Sequence, residues 1–148
     1  MIPTPGVVLA NLRIVGVFMA LLAVLNLFLP ARLRWREDMA TLSLLNRQIF
    51  QVHSGFIILT IALVSALLLT CADALLEPTR LSRAVVSGLA IFWGARMLTQ
   101  WFVYSPAVWR GNRFNTWMHY LFSAAWIYVT ATFVAALVVN LGVTNNAR

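Results

Sequence analysis

The sequence predicts an all-α, polytopic membrane protein in which four transmembrane helices form a bundle. Three observations carry that expectation. The 148 residues are 61% hydrophobic and 10% charged, with a mean hydropathy of +0.84, which leaves too few polar side chains to cover the surface of a soluble domain. Four apolar runs each reach the ~20 residues a helix needs to cross the hydrocarbon. All eleven basic residues are arginines, and most are set between or at the edges of those runs, the pattern of topology determinants and not of a nucleic-acid-binding face. Barrel strands are excluded, because the runs are too long and lack period-two alternation.

The first run covers 7–29 and is closed by Pro30 and the arginine-rich stretch Ala31 to Arg36. With no small-x-small cleavage site after 12–29, it reads as a retained anchor and not a signal peptide. The connection up to Arg47 has room for an interfacial helical turn or an extension of the second span, and Glu37 and Asp38 suit a helix N-terminus. The second run, 50–75, contains Cys71, the single cysteine; it is assigned to packing, and it rules out both an intrachain disulfide and a CxxC metal knuckle. The third and fourth runs cover 84–104 and 116–141. Gly88, Gly94, Ala95 and Ala124 on these two are expected at close helix–helix approaches. No linker or second domain is visible, so residues 1–148 are read as one domain.

Arginine asymmetry sets the expected orientation. The first connection carries Arg32, Arg34, Arg36 and Arg47 and the third Arg110 and Arg113, against Arg80 and Arg83 in the second and Arg148 at the C-terminus. Both termini are therefore expected outside the cytoplasm, in a bacterial inner membrane. Trp35, Trp101, Tyr104, Trp109 and Trp117 fall at the same cytoplasmic boundary.

Two stretches match. Asn46-Arg47 leads to His53 and Phe56, and Asn112-Arg113 leads to His119 and Phe122, both reading N-R-x5-H-x2-F. A Trp-Arg pair precedes each. A duplicated two-helix hairpin explains this, and parallel repeats would place His53 and His119 at equal depth on helices related by a pseudo-twofold axis. Helical spacing then groups Asn112, Asn115, His119, Ser123, Trp126 and Thr130 into one stripe that should face protein. Asn46, His53 and Thr60 form a second stripe, with Arg47, Gln51 and Ser54 beside it. On the third run Arg96 and Gln100 are one turn apart. Arg96 is the most expensive residue in the chain, since a charge inside a span costs several kcal/mol unless it is paired or hydrated.

These positions define an expected pocket on the cytoplasmic half, built from His53, Arg96, Gln100 and His119. Two imidazoles at matched depth suit a haem b iron, making His53 and His119 candidate metal ligands, with Arg47 and Arg113 at the rim for the propionates. The alternative ligand is quinone-like, its headgroup held by Arg96. Either would serve electron transfer. Each histidine also has a plainer reading, an interfacial ring bonded to water or to a neighbouring carbonyl. Zinc and di-iron sites are disfavoured because, of the four acidic residues, only Asp73 falls within an apolar run, and that at its very end. No hydrolase, kinase or glycosidase motif is present.

The four-span layout with external termini resembles the trimeric membrane-associated eicosanoid and glutathione metabolism family (MAPEG). Arg47, Gln51 and Ser54 have the spacing of its R-x3-N-x2-E element, with glutamine and serine in place of asparagine and glutamate. Arg96, Tyr104 and Arg110 are similar to its third helix. That resemblance implies a glutathione-dependent membrane enzyme. A third reading is a non-catalytic accessory subunit. The expected partners are the lipid bilayer and a homo-oligomer or larger membrane complex, and no nucleic acid.

Overall fold

The computed structural model describes residues 3–145. It is all-helical there, with four long helices: α1 (Pro5–Arg32), α2 (Leu44–Thr70), α3 (Arg80–Phe102) and α4 (Arg113–Asn145). All four are long and apolar enough to cross a membrane, with mean hydropathies of 2.4, 2.3, 1.2 and 2.0 over their most apolar stretches. The value for α3 is lowest because it carries Arg96 and Gln100 inside its span. Large apolar side chains such as Phe28, Ile91 and Phe102 are exposed, as helices solvated by lipid require. Arg148 and the side chain of Arg36 lie outside the described residues.

Helix ends depart from the apolar runs where caps intervene. α1 continues through Pro30 to Arg32, because in the last turn the missing proline N–H removes one helix bond only. α2 begins at Leu44, six residues before its apolar run, since Ser43 Oγ accepts the Asn46 N–H and caps the helix. The preceding connection holds a helical turn, Trp35–Asp38, continued by a tighter turn over Met39–Thr41, and α2 is also extended into it. Glu37 lies 3.7 Å from Arg34 in an exposed ion pair, worth little in water. α2 ends at Thr70, and Cys71 is exposed instead of packed.

The chain divides into two compact units, residues 13–72 and residues 1–12 with 73–148. In the first, Val15, Met19, Leu22, Ile61 and Leu68 are buried along the α1–α2 pair. Gly16 sets how close these helices come. A Cβ there would lie 3.0 Å from the Leu69 side chain and 3.1 Å from Leu68 Cβ, and Ser65 Oγ donates to the Gly16 carbonyl at 2.8 Å. This is the small-residue contact of membrane helices. The sequence expectation had it elsewhere: Gly88 has nothing within 4 Å of a Cβ, Gly94 is in ordinary contact with Thr130, and Ala95 and Ala124 are exposed.

In the second unit α3 and α4 form an antiparallel hairpin, with Val86, Trp93, Trp126, Val129, Phe133 and Ala136 buried. Val8 and Leu12 from the first turns of α1 join that core, and Tyr128 donates its hydroxyl to Asn11 Oδ1. Asn140, fully buried, donates to the Leu75 carbonyl at 3.2 Å and to Ser82 Oγ at 2.9 Å, and also bonds the Glu77 carbonyl. It ties the 74–79 loop to α4. Thr79 and Ser82 close that loop with a reciprocal capping box at the start of α3.

Gly16→Val is expected to destabilise the protein by ~1–3 kcal/mol through overpacking, read as a lower midpoint of denaturant unfolding in mixed micelles. Gly88→Ala, where the added methyl meets nothing, does not lower that midpoint and raises stability by up to ~1 kcal/mol through helix propensity; an equal loss from both would overturn the assignment of the close contact to Gly16.

Candidate functional site

α3 and α4 meet near their shared end through a chain of three polar side chains. Arg96 lies six residues before the end of α3, so about 9 Å inside it at 1.5 Å per residue. Its Nη1 donates to Gln100 Oε1 at 3.3 Å, and Gln100 Nε2 lies 3.2 Å from His119 Nδ1 on α4. Gln100 is 6% exposed, so both ends of its amide must be met within the protein. The Arg96 guanidinium also sits 4.9 Å over the Trp126 ring and 5.8 Å from the Tyr104 centroid, where the π faces attract a cation. No described carboxylate lies within ion-pair distance of it.

The direction of this chain follows from arginine, which only donates. Gln100 Oε1 must face Arg96, so the amide NH2 faces His119. Nδ1 of His119 therefore accepts, and the ring, when neutral, carries its proton on Nε2. His119 is held in place by its neighbours: it stacks on Trp109 at 4.3 Å and 5°. Trp109 closes the short Ser105-capped turn Pro106–Trp109; its carbonyl accepts from Thr116 Oγ1 at 2.6 Å, and the Arg110 guanidinium lies 5.2 Å from the Trp109 ring centroid. Gly111, with φ +89°, turns the chain into α4. Deeper along the seam, Trp93 stacks on Trp126 at 5.1 Å and 16°.

The predicted stripe on α4 largely faces protein. Asn112 serves as the cap, its Oδ1 accepting the Phe114 and Asn115 N–H groups; His119 and Ser123 are half-buried and Trp126 is buried.

His53 has a different setting. It is exposed on α2, and its Nδ1 is 3.0 Å from the Ile49 carbonyl of its own helix. A carbonyl only accepts, so here Nδ1 carries the proton. The two histidines of the matching motifs thus hold opposite neutral tautomers. The motifs also sit in different registers. His53 is ten residues past the Ser43 cap and His119 seven past the Asn112 cap, a local offset of about 4.5 Å. Arg47 is half-buried and Arg113 exposed; Gln51 is exposed, and Ser54 donates to the Phe50 carbonyl at 2.8 Å.

Of the four residues of the expected pocket, Arg96, Gln100 and His119 lie within hydrogen-bonding reach in succession, Arg96 to Gln100 and Gln100 to His119. Trp109 and Tyr104, which are not among the residues of the pocket expected from sequence, belong to the same cluster. Their aromatic character at the end of a span was the available signal. No group of three or more His, Cys, Asp or Glu side chains that would hold a metal ion occurs among the described residues. An open, apolar groove around Val8, Asn11, Tyr128 and Ala131 shares no residue with the cluster. Compared with protein families, curated proteins and solved structures, the chain matches none.

Proposed function

We propose that this integral membrane protein binds the carbonyl oxygen of a lipophilic, quinone-like ligand at the Arg96–Gln100–His119 cluster and serves membrane electron transfer. The observation that carries the reading is the bridging amide of Gln100. It leaves His119 with an Nε2–H donor, beside a guanidinium with further N–H groups to offer. Donors of this kind suit a ligand oxygen, above all one that gains negative charge. Haem b, the other cofactor the sequence suggests, requires an imidazole lone pair at the iron. Gln100 leaves that pair on Nδ1, the nitrogen it already occupies. The geometry therefore favours the quinone form of the expectation. Trp93, Trp109 and Trp126 give the cluster flat apolar walls of the kind ligand sites use.

Titration of the detergent-solubilised protein with a decyl-substituted benzoquinone, followed by tryptophan quenching, tests this. Saturable binding is expected. Arg96→Leu and His119→Leu should each weaken it about ten- to hundredfold, the equivalent of the ~1.5–3 kcal/mol carried by a hydrogen bond to a charged group; Arg13→Leu should not. Absence of saturable quenching, or equal affinity in all variants, would sink the proposal. A Soret band in the purified protein, lost in His53→Ala and His119→Ala, would replace it with haem.

We further infer from the arginine distribution that both termini face away from the cytoplasm of a bacterial inner membrane. Alkaline phosphatase fused after residue 148 is expected to be active; an inactive fusion with an active cytoplasmic reporter in its place reverses the orientation.

A further inference from the structure

We infer that the seam between α3 and α4 binds internal water molecules, held by Trp93 Nε1, Ser123 Oγ and Thr130 Oγ1, which hydrate the Arg96 guanidinium. Two independent observations converge on this. The first is a set of orphaned polar atoms. Several hydroxyls elsewhere in the spans return to the carbonyl four residues back: Thr60 to Phe56 at 2.8 Å, Thr70 to Ala66 at 2.7 Å, Thr99 to Ala95 at 3.0 Å and Thr132 to Tyr128 at 2.9 Å. Ser123 and Thr130 do not. Their oxygens are fully buried without a hydrogen-bond partner, and so is the indole N–H of Trp93, a residue only 2% exposed. Buried polar groups left unmade cost free energy, and internal water is the usual remedy where several such groups gather.

The second observation is the cation itself. Arg96 has five N–H donors, of which one is directed at Gln100, and no described carboxylate within ion-pair reach. An intramembrane charge without a counter-ion faces other protein polar groups or water. The orphaned atoms stand along the seam it occupies. Trp93 is one turn before Arg96 on α3. Ser123 is one turn before Trp126, the ring over which Arg96 lies. Thr130 is one turn further, with its methyl against Gly94. Ser123 and Thr130 are two turns apart on α4, so more than one water is inferred, drawing on the donors of Arg96 and Trp93 and on the two hydroxyls, which both donate and accept. The inference stands independently of the quinone reading.

Pulsed X-ray radiolytic labelling tests it, because side chains are hydroxylated only where a water molecule lies against them. Trp93 is expected to be labelled in the detergent-solubilised wild type despite its burial. In Thr130→Val, and more so with Ser123→Ala added, Trp93 labelling should fall at least severalfold while that of exposed Trp117 holds. An unlabelled Trp93 in the wild type would overturn the inference, with no variant needed. Labelling that the variants leave unchanged would also overturn it, since the water would then not be held by these hydroxyls.

Discussion

An arginine inside a membrane-spanning helix has to have its donors met, and in this chain no acidic residue stands inside any span to meet them. The arrangement at the shared end of α3 and α4 follows from that constraint. Arg96 turns to neutral acceptors and π faces: the amide oxygen of Gln100 and the rings of Trp126 and Tyr104. Because Gln100 gives its oxygen to the arginine, its NH2 end is committed to His119, and a charge on one helix becomes a directional bond to the next. Trp109, stacked on the imidazole, closes the end of the cluster. With its Nδ1 lone pair directed at Gln100, His119 presents a donor on its other nitrogen, the ground on which a carbonyl ligand is proposed in preference to a metal.

The unit formed by α1 and α2 has solved a simpler problem. Its helices meet through Gly16 and a single buried hydroxyl bond from Ser65, with aliphatic side chains around them. Lipid is as apolar as leucine, so this contact rests on close packing and one polar bond. The N-terminal part of α2, including His53, makes its polar bonds within its own helix. The two histidine motifs, which share Asn, Arg, His and Phe at the same spacing, thus have different local chemistry: one ring returns to its own backbone and the other joins two helices.

Much of this architecture was legible in the chain. Four runs of sufficient length and hydropathy fix the number of helices, and 3.6-residue spacing was enough to put His119, Ser123 and Trp126 on one face of α4. Arg96 and Gln100, one turn apart, were readable as a pair. The helix limits were less so, because hydropathy marks lipid and not hydrogen bonding: α2 starts at a serine cap in a polar stretch. Asn140 was not legible as a tie to the 74–79 loop, since its partners include backbone carbonyls that no side-chain pattern reports. The tight approach at Gly16 was missed for a similar reason. A glycine in an apolar run says that a neighbour is allowed close, not that one is there.

The protonation pattern of the two imidazoles tests the central claim most directly. In protein labelled with 15N-histidine, one-bond N–H couplings at a pH where the rings are neutral should place the proton of His119 on Nε2 and that of His53 on Nδ1, and Gln100→Leu should change the first spectrum alone. A His119 ring protonated on Nδ1, or one indifferent to Gln100, would contradict the directional chain from Arg96 and the ligand chemistry built on it.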